Sequence, residues 1–304
     1  MAFGLVIDSP ITLPEAYPAK PGVPVDVTVL LGDSGHEHPA DSMFIEAREN
    51  KYWWQSMPDE DHTLFNCAAG LFEISNGNEI IAQLYPDAEK ELAKIYLLGS
   101  AMGAVQIQRG RIPIHGGAVD TQNGAMIITG SQGSGKSTMT SAFVHNGFKY
   151  LTDDVSSVSL ESGQAEVIPA YPQRKLVRDA CAPLGYSPDD LIMVDSDRDK
   201  FAVRDLENWR MDPSRLWAIA ELYPVGENEK VTVIPITGHD SLAYVMRNLY
   251  RMWMHVPGGA LKPEVFKKIL TIAAQVNVFK VEVPREIGNI TGIAEDIASA
   301  LGVS

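Results

Sequence analysis

The sequence predicts an α/β fold with a mixed β-sheet, preceded by a β-rich N-terminal region. Three observations lead to this fold class. A glycine-rich loop lies between a strand-like run and a helix-like run at residues 126–146. A strand and an Asn-Gly turn lead directly into the strand before that loop, which predicts an antiparallel neighbour for it. The first 86 residues carry strand and turn patterns, and four prolines between Pro10 and Pro21 disfavour a helix there.

The glycine-rich loop fits the phosphate-binding pattern G-x-x-x-x-G-K-[ST], the P-loop. Met126–Ile128 predict the strand before it and Ser137–Asn146 the helix after it, with Gly147 closing the helix. The glycines let backbone N–H groups turn inward around an anion. Lys136 is expected to reach the β- and γ-phosphates of a nucleotide, and the hydroxyl of Ser137 to bind Mg²⁺. The predicted nucleotide-binding residues of the loop are Gly130, Ser131, Gln132, Gly133, Ser134, Gly135, Lys136, Ser137 and Thr138.

Two regions are predicted: a β-rich N-terminal region at residues 1–86 and a P-loop domain at residues 87–304. Residues 87–109 predict a helix, because apolar residues recur at helical spacing and acidic residues occupy the first turn. Strands are predicted at 25–31, 71–74, 79–84, 112–120, 148–152, 155–160, 165–168, 216–222, 231–236 and 278–283. Further helices are predicted at 172–184, 241–254, 263–276 and 292–301, and an irregular polar segment at 187–202.

Asp153 and Asp154 follow the predicted strand 148–152. A carboxylate at the end of a strand beside a P-loop can hold Mg²⁺, directly or through water. A second carboxylate beside it can accept a proton from an attacking hydroxyl. Without the P-loop, a turn or helix cap would be the simpler interpretation of the pair.

His115 and four cations are the other candidates. His115 lies on the strand paired with the P-loop strand, and the sequence leaves open whether it is a core histidine or a residue near a ligand. The cations are Lys175, Arg178, Arg198 and Lys200. A solvated charged face is the alternative for each of them, but at least one is expected to contact a phosphate oxygen. We assign Arg178, Arg198 and Lys200 to nucleotide binding.

Composition narrows the class of protein. The chain of 304 residues is 45% hydrophobic and 21% charged, with a formal net charge of −14 and a pI near 4.9. This balance argues against a nucleic-acid partner, which requires clustered Lys and Arg. It does not argue against ATP as a ligand, because a nucleotide site depends on the few residues around it and not on the net charge of the chain.

The two cysteines, the first 13 residues and the longest apolar stretch predict the cellular compartment. Cys67 and Cys181 are the only cysteines, so no disulfide framework is expected and a reducing cytoplasm suits the chain. Residues 1–13 lack a basic segment and carry Asp8 within their apolar part, which is unlike a signal peptide. The longest apolar stretch, residues 95–107, is too short to span a bilayer, so no membrane partner is expected.

Five segments carry a resemblance to known proteins: Pro113–Gly117, Gly130–Thr138, Gly147–Asp154, Tyr171–Asp179 and Asp197–Val203. The first three together resemble the HPr kinase/phosphorylase family, whose catalytic domain is similar to that of ATP-dependent phosphoenolpyruvate carboxykinase. The last two look like a divergent branch, the kinases of lasso-peptide gene clusters, which phosphorylate the C-terminal serine of a precursor peptide.

The resemblance implies a P-loop carboxykinase/HPr-kinase-like domain that uses ATP and Mg²⁺. It also implies that His115 lies near the acid pair and tunes it, that Asp153 is the base and that Asp154 supports the metal together with Ser137. Thr138 stands where true HPr kinases carry an acidic residue, and their glycine-rich segment linked to dephosphorylation is not found. These differences argue against HPr as the acceptor and against phosphorylase activity.

Two function classes therefore stay open. The first is a kinase acting on a serine hydroxyl of a precursor peptide or small protein, with HPr(Ser) kinase/phosphorylase as its nearest alternative. The second is a nucleotide-binding ATPase or switch with no acceptor. The absence of an N-K-x-D guanine motif counts against a GTPase switch, and the acid pair favours the kinase. The sequence leaves the oligomeric state open, a homo-oligomer included.

Overall fold

The computed structural model describes residues 1–33, 35, 43–48, 51–59, 61–195, 199–227, 229–256 and 260–304. The chain is a mixed α/β protein with two compact units. Unit 1 comprises Met1–Arg111 and Arg251–Val265, and unit 2 comprises Ile112–Tyr250 and Phe266–Ser304. The division into a 1–86 region and an 87–304 domain stays a prediction.

Unit 1 is built on a seven-stranded mixed sheet. Its strands are β1 (Ile7–Asp8), β2 (Val27–Leu31), β3 (Met43–Arg48), β4 (Lys51–Asp59), β5 (His62–Cys67), β6 (Gly70–Ser75) and β7 (Glu79–Leu84). The order across the sheet is β1-β2-β7-β6-β5-β4-β3. The β1–β2 and β2–β7 pairs are parallel, and the remaining pairs are antiparallel. Strands β2, β6 and β7 confirm the three strands predicted in this region.

The helix predicted at residues 87–109 is present in unit 1, but it is not regular throughout. It consists of α1 (Lys90–Tyr96), a π-helical turn at Leu97–Ala101 and α2 (Met102–Gln108). Of the apolar residues that predicted it, Met102 and Val105 are buried, whereas Leu92, Ile95 and Tyr96 are partly exposed. A short 3-10 helix at Met252–His255 also belongs to this unit.

Unit 2 contains the P-loop. Its strands are β8 (Ile112–Thr121), β9 (Gly124–Gly130), β10 (Lys149–Thr152), β11 (Val155–Ser159), β12 (Glu166–Ile168), β13 (Gln173–Val177), β14 (Ile192–Asp195), β15 (Lys200–Arg204), β16 (Ser214–Val225), β17 (Thr232–Ile236) and β18 (Asn277–Pro284). Its helices are α3 (Lys136–His145), α4 (Arg178–Cys181), α5 (His239–Arg247), α6 (Pro263–Gln275, assigned to unit 2 from Phe266 onward) and α7 (Ile290–Leu301).

The P-loop strand β9 has one antiparallel and one parallel neighbour. It pairs with β8 through the predicted Asn-Gly hairpin and with β16 in parallel. Strand β16 is parallel to β18, and β18 is antiparallel to β17. Strands β13, β15 and β14 form a separate three-stranded antiparallel sheet. The mixed sheet around the P-loop is therefore confirmed.

Two predictions between the acid pair and β16 are wrong. The helix predicted at residues 172–184 is strand β13 followed by the short helices Arg178–Cys181 and Ala182–Leu184. The reason is that Arg174 and Lys175, which the predicted helix would carry, are buried on strand β13, at 1% and 8% exposure. The segment 187–202, predicted to be irregular, contains strand β14 and the start of β15.

The helix predicted at residues 241–254 ends at Arg247. The chain turns there because its backbone pairs with β8. The carbonyl of Asn248 accepts the N–H of His115 at 2.8 Å, and the N–H of Tyr250 donates to the carbonyl of Pro113 at 2.9 Å. Within the described part of the chain, no helix is long and apolar enough to cross a membrane.

Candidate active site

The loop after β9 turns at three glycines with left-handed backbone angles. Gly130, Gly133 and Gly135 have positive φ angles of 145°, 79° and 90°, which L-residues with a side chain rarely adopt. A Cβ atom on Gly130 would lie 2.6 Å from Ser134 Oγ and 2.8 Å from the carbonyl oxygen of Leu222. Glycine at position 130 is therefore required both by φ and by space.

Lys136 begins α3 and folds back over the loop. Its Nζ donates hydrogen bonds to the carbonyl oxygens of Gly130 at 2.9 Å and Ser131 at 3.0 Å. Burial lowers the pKa of its ammonium group, although the nearby carboxylate of Asp154 opposes that change. The hydroxyl of Ser134 is buried without a hydrogen-bond partner among the described residues, which fits a loop shaped for a polar ligand.

The acid pair lies in the tight connection between β10 and β11. The hydroxyl of Thr152 donates to the carbonyl of Val155 at 2.9 Å and so closes this turn. The N–H of Gly116 on β8 donates to the carbonyl of Asp154 at 2.9 Å and fixes the turn against the hairpin. The two carboxylates thus project from a fixed backbone beside the P-loop lysine, which interacts electrostatically with both of them.

Asp153 is a buried carboxyl group, with 5% of the residue exposed. Its Oδ2 accepts the backbone N–H of Lys175 at 3.0 Å. Its Oδ1 is buried and has no hydrogen-bond partner within the described ranges. Burial raises the pKa of Asp153 from 3.8 to about 6, against the opposing charge of Lys175.

Asp154 has different surroundings, and its side chain is 35% exposed. Its Oδ2 accepts the Nζ of Lys175 at 3.0 Å, and its Oδ1 lies 3.4 Å from Nδ1 of His115. Burial alone would raise the pKa of Asp154, but the charge of Lys175 and the neighbouring His115 outweigh it and hold that pKa below its usual range. The pKa values of these two adjacent carboxyl groups are therefore shifted in opposite directions.

The structure therefore places His115 beside the acid pair. Its ring also lies 5.8 Å from that of Tyr250. Gly117, two residues after His115, allows β8 to lie close to α3 and to the acid pair. A Cβ atom at Gly117 would lie 2.3 Å from Thr140 Oγ1 on α3 and 3.0 Å from the carbonyl oxygen of Asp153. The His-Gly-Gly run thus marks a close contact between β8, α3 and the acid pair.

The remaining candidate cations differ in position. Lys200, on β15, interacts electrostatically with Lys136, Asp153 and Asp154, so it belongs to the same site. Arg178 is exposed, and its guanidinium binds both carboxylate oxygens of Asp199 at 2.7 and 3.0 Å. Arg198 lies outside the described residues.

A hydrogen-bond network next to the P-loop strand β9 is not predicted from the sequence. Thr129 Oγ1, on β9, lies 2.7 Å from the carbonyl of His115 and 2.8 Å from Oδ1 of Asn248. Nδ2 of Asn248 donates to Oε2 of Glu221 at 3.0 Å, and Glu221 pairs in register with Thr129. Arg247 in turn forms an ion pair with Glu221. The sequence signal for this network is Asn248, a residue type common where helices end, which lies inside the predicted helix 241–254.

The residues of this site fit a Mg²⁺ ion held together with a nucleotide. The hydroxyl of Ser137 adjoins the P-loop lysine in sequence, and Asp154 is held in its ionised form. In the described segments, no group of three or more His, Cys, Asp or Glu side chains could hold a metal by itself. Nucleotide-dependent Mg²⁺ sites need no such group, because one or two side chains suffice beside phosphate oxygens.

Comparison with known proteins adds little. No protein-family model matches the sequence, and a comparison with curated proteins finds no relative. Among solved structures, the chain is similar to the HPr(Ser) kinase/phosphatase from Coxiella burnetii, with 12% sequence identity and a TM-score of 0.33. The match covers 62% of this chain and 98% of that one. We draw no conclusion about fold or function from a likeness this distant.

Proposed function

We propose that this protein is an ATP-dependent kinase that transfers the γ-phosphoryl group to a serine hydroxyl of a peptide or protein. One observation carries the proposal: two adjacent carboxyl groups beside a P-loop lysine have unlike surroundings. Asp153 is buried, and its Oδ1 has no hydrogen-bond partner among the described residues. Asp154 instead contacts Lys175 Nζ at 3.0 Å and His115 Nδ1 at 3.4 Å. In agreement, burial raises the pKa of Asp153, whereas the charge of Lys175 outweighs burial and holds the pKa of Asp154 below its usual range. Transfer to a hydroxyl needs one group that takes a proton and another that stays anionic near the phosphates. A switch that only binds a nucleotide has no need of the first group.

Asp153 is the proposed base. A carboxyl group whose pKa is about 6 is ionised at neutral pH, yet it is more basic than an ordinary carboxylate. Its buried Oδ1 is the oxygen without a partner among the described residues. In the transfer, this oxygen takes the proton of the serine hydroxyl, the serine oxygen forms the new bond to the γ-phosphorus, and the bond to ADP breaks.

The cations bind and orient the triphosphate in this proposal. Lys136 and the loop N–H groups hold the β- and γ-phosphates, and Lys200 adds positive charge on the side of the acid pair. Ser137 and Asp154 would hold Mg²⁺, which neutralises phosphate charge when bound. His115 contacts Asp154 and keeps its carboxylate in place.

The finer assignments rest on the sequence resemblance alone. They are a carboxykinase/HPr-kinase-like domain and, as acceptor, the C-terminal serine of a lasso-peptide precursor. The runs Pro113–Gly117, Gly130–Thr138 and Gly147–Asp154 support the domain assignment. The runs Tyr171–Asp179 and Asp197–Val203 support the acceptor, together with Thr138 in place of an acidic residue. The proposed cytoplasmic location rests instead on the presence of only two cysteines.

The test is the fate of γ-labelled ATP. The protein is incubated with Mg²⁺, labelled ATP and a panel of peptides ending in serine, each paired with the same peptide ending in alanine. We expect label in the serine peptides only, and none with Lys136→Ala. Label found solely as free phosphate across a panel that includes HPr and internal-serine peptides would overturn the kinase and favour an ATPase.

A further inference from the structure

Lys175 binds both members of the acid pair through two different groups. Its backbone N–H donates to Oδ2 of Asp153 at 3.0 Å, and its Nζ donates to Oδ2 of Asp154 at 3.0 Å. The residue is 8% exposed. A buried ammonium ion with a carboxylate partner at this distance is held firmly, because losing the partner would leave an uncompensated charge.

These contacts divide the four carboxylate oxygens into two sets. Lys175 occupies Oδ2 of each carboxylate. Oδ1 of Asp153 is left without a partner in the described part of the chain, and Oδ1 of Asp154 faces Nδ1 of His115 at 3.4 Å. One residue therefore fixes the rotation of both side chains and decides which oxygen each presents.

The strand that carries Lys175 is anchored independently of the acid pair. On β13, Lys175 pairs in register with Ala202 of β15. The preceding residue, Arg174, is 1% exposed, lies 5.1 Å from the ring centre of Tyr150 on β10, and pairs with Asp205 at 2.8 Å. Strand β13 is thus attached to β10 and to the acid pair at two successive residues.

We infer that Lys175 is the positioning residue of the acid pair and not a ligand of the nucleotide phosphates. The inference rests on the proposed function, since it assigns the pair a role in transfer. Because Lys175 binds Oδ2 of both carboxylates, it suppresses small rotations that would misplace Oδ1. Misplacement of a reacting group by about 1 Å can slow a reaction roughly 100-fold.

The test compares Lys175→Met with Lys175→Arg and with Lys149→Met, a control at an exposed lysine on β10. ATP affinity is measured by calorimetry in EDTA, and single-turnover transfer is measured with the acceptor peptide of the parent protein. Lys175→Met should slow transfer roughly 100-fold and keep ATP affinity within about 2-fold of the parent. Lys175→Arg should transfer at an intermediate rate, and the control should match the parent.

Three results would overturn the inference. Unchanged transfer by a folded Lys175→Met would show a purely structural role, and a fall in ATP affinity in EDTA like that of Lys136→Ala would show a phosphate ligand. If Lys175→Met does not fold, full transfer by Lys175→Arg would also reject it, while slowed transfer at parental stability would support it.

A crystal structure of Lys175→Met or Lys175→Arg keeps the inference separate from the kinase proposal. If the parent transfers phosphate to no peptide, the kinase proposal fails. The positions of the two carboxylates then decide the role of Lys175: displacement supports it, and unchanged positions reject it.

Discussion

In the proposed mechanism, nucleotide binding depends on Lys136. It contacts two loop carbonyls and is half-buried, while the core of unit 2 is formed by other residues such as Ile127 and Phe143. Removing its side chain should therefore affect ligand binding and leave packing intact.

We predict that Lys136→Ala abolishes measurable ATP turnover and leaves the circular dichroism spectrum like that of the parent. The physical reason is the loss of the cation that holds the β- and γ-phosphates. Lys149→Ala, at an exposed lysine, serves as the control and should be unaffected. Parental turnover by Lys136→Ala would place the active site elsewhere.

At the scale of elements, the contact of β8 with α3 and the acid pair permits no side chain at Gly117. The surrounding Thr140 Oγ1 and the carbonyl of Asp153 leave no room for a methyl group. Gly117→Ala should therefore lower the free energy of unfolding by about 1–3 kcal/mol, the usual effect of overpacking. Gly288→Ala, where a Cβ meets no atom within 4 Å, should have a small effect. Urea denaturation of both variants checks this, and equal stabilities would contradict the close contact.

The elements that local sequence determines were predictable. The hairpin β8–β9, the P-loop and α3 follow from an Asn-Gly turn, three glycines and a helical pattern, and all are present. Strand β13 was not predictable, because hydrophobic periodicity assumes that arginine and lysine face solvent. Arg174 and Lys175 are instead buried and form ion pairs with carboxylates that are distant in sequence.

The site itself was predictable only in part. The P-loop and the acid pair each carry a local pattern, and the spacing between them suggested their proximity. The unequal environments of Asp153 and Asp154 depend on Lys175, which lies 21 residues from Asp154 in sequence. The network of Asn248, Glu221 and Thr129 likewise joins segments that only the folded sheet brings together.

At the scale of the whole molecule, the site connects five separate stretches of unit 2. They contribute His115, Lys136, the acid pair, and the strands β13 and β15. Local unfolding of any of them would disassemble the site, so the ionisation of the site and the stability of the fold are linked.

This linkage predicts a pH dependence of stability in protein free of metal and nucleotide. The pKa of Asp153 is raised from 3.8 to about 6, so its contribution to the free energy of unfolding is full below about pH 4 and is lost as the pH rises through about 6. Compared with Asp153→Asn, the free energy of unfolding of the parent should fall by up to about 3 kcal/mol as the pH rises from about 4 to above 6. Asp154 is present in both proteins, so its opposite shift largely cancels in the difference.

Denaturation of both proteins at several pH values, in EDTA, measures this difference. A parent curve that falls toward that of Asp153→Asn with rising pH is the expected result. Two parallel curves would mean that Asp153 has the same pKa in the folded and unfolded chain, and the environment described for it would be wrong.

The measurement that most directly tests the central claim compares Asp153→Asn with Asp154→Asn. Single-turnover phosphate transfer and the affinity for ATP in Mg²⁺ are determined for each, using the acceptor of the parent. Asp153→Asn should keep most of the affinity, because Lys136 and the loop remain, and should slow transfer roughly 10²–10⁴-fold, as loss of a positioned base does. Asp154→Asn should weaken Mg²⁺-dependent ATP binding as well as transfer. Exchanged patterns would exchange the two roles, whereas parental transfer rates in both variants would make the acid pair a structural turn and contradict the kinase mechanism.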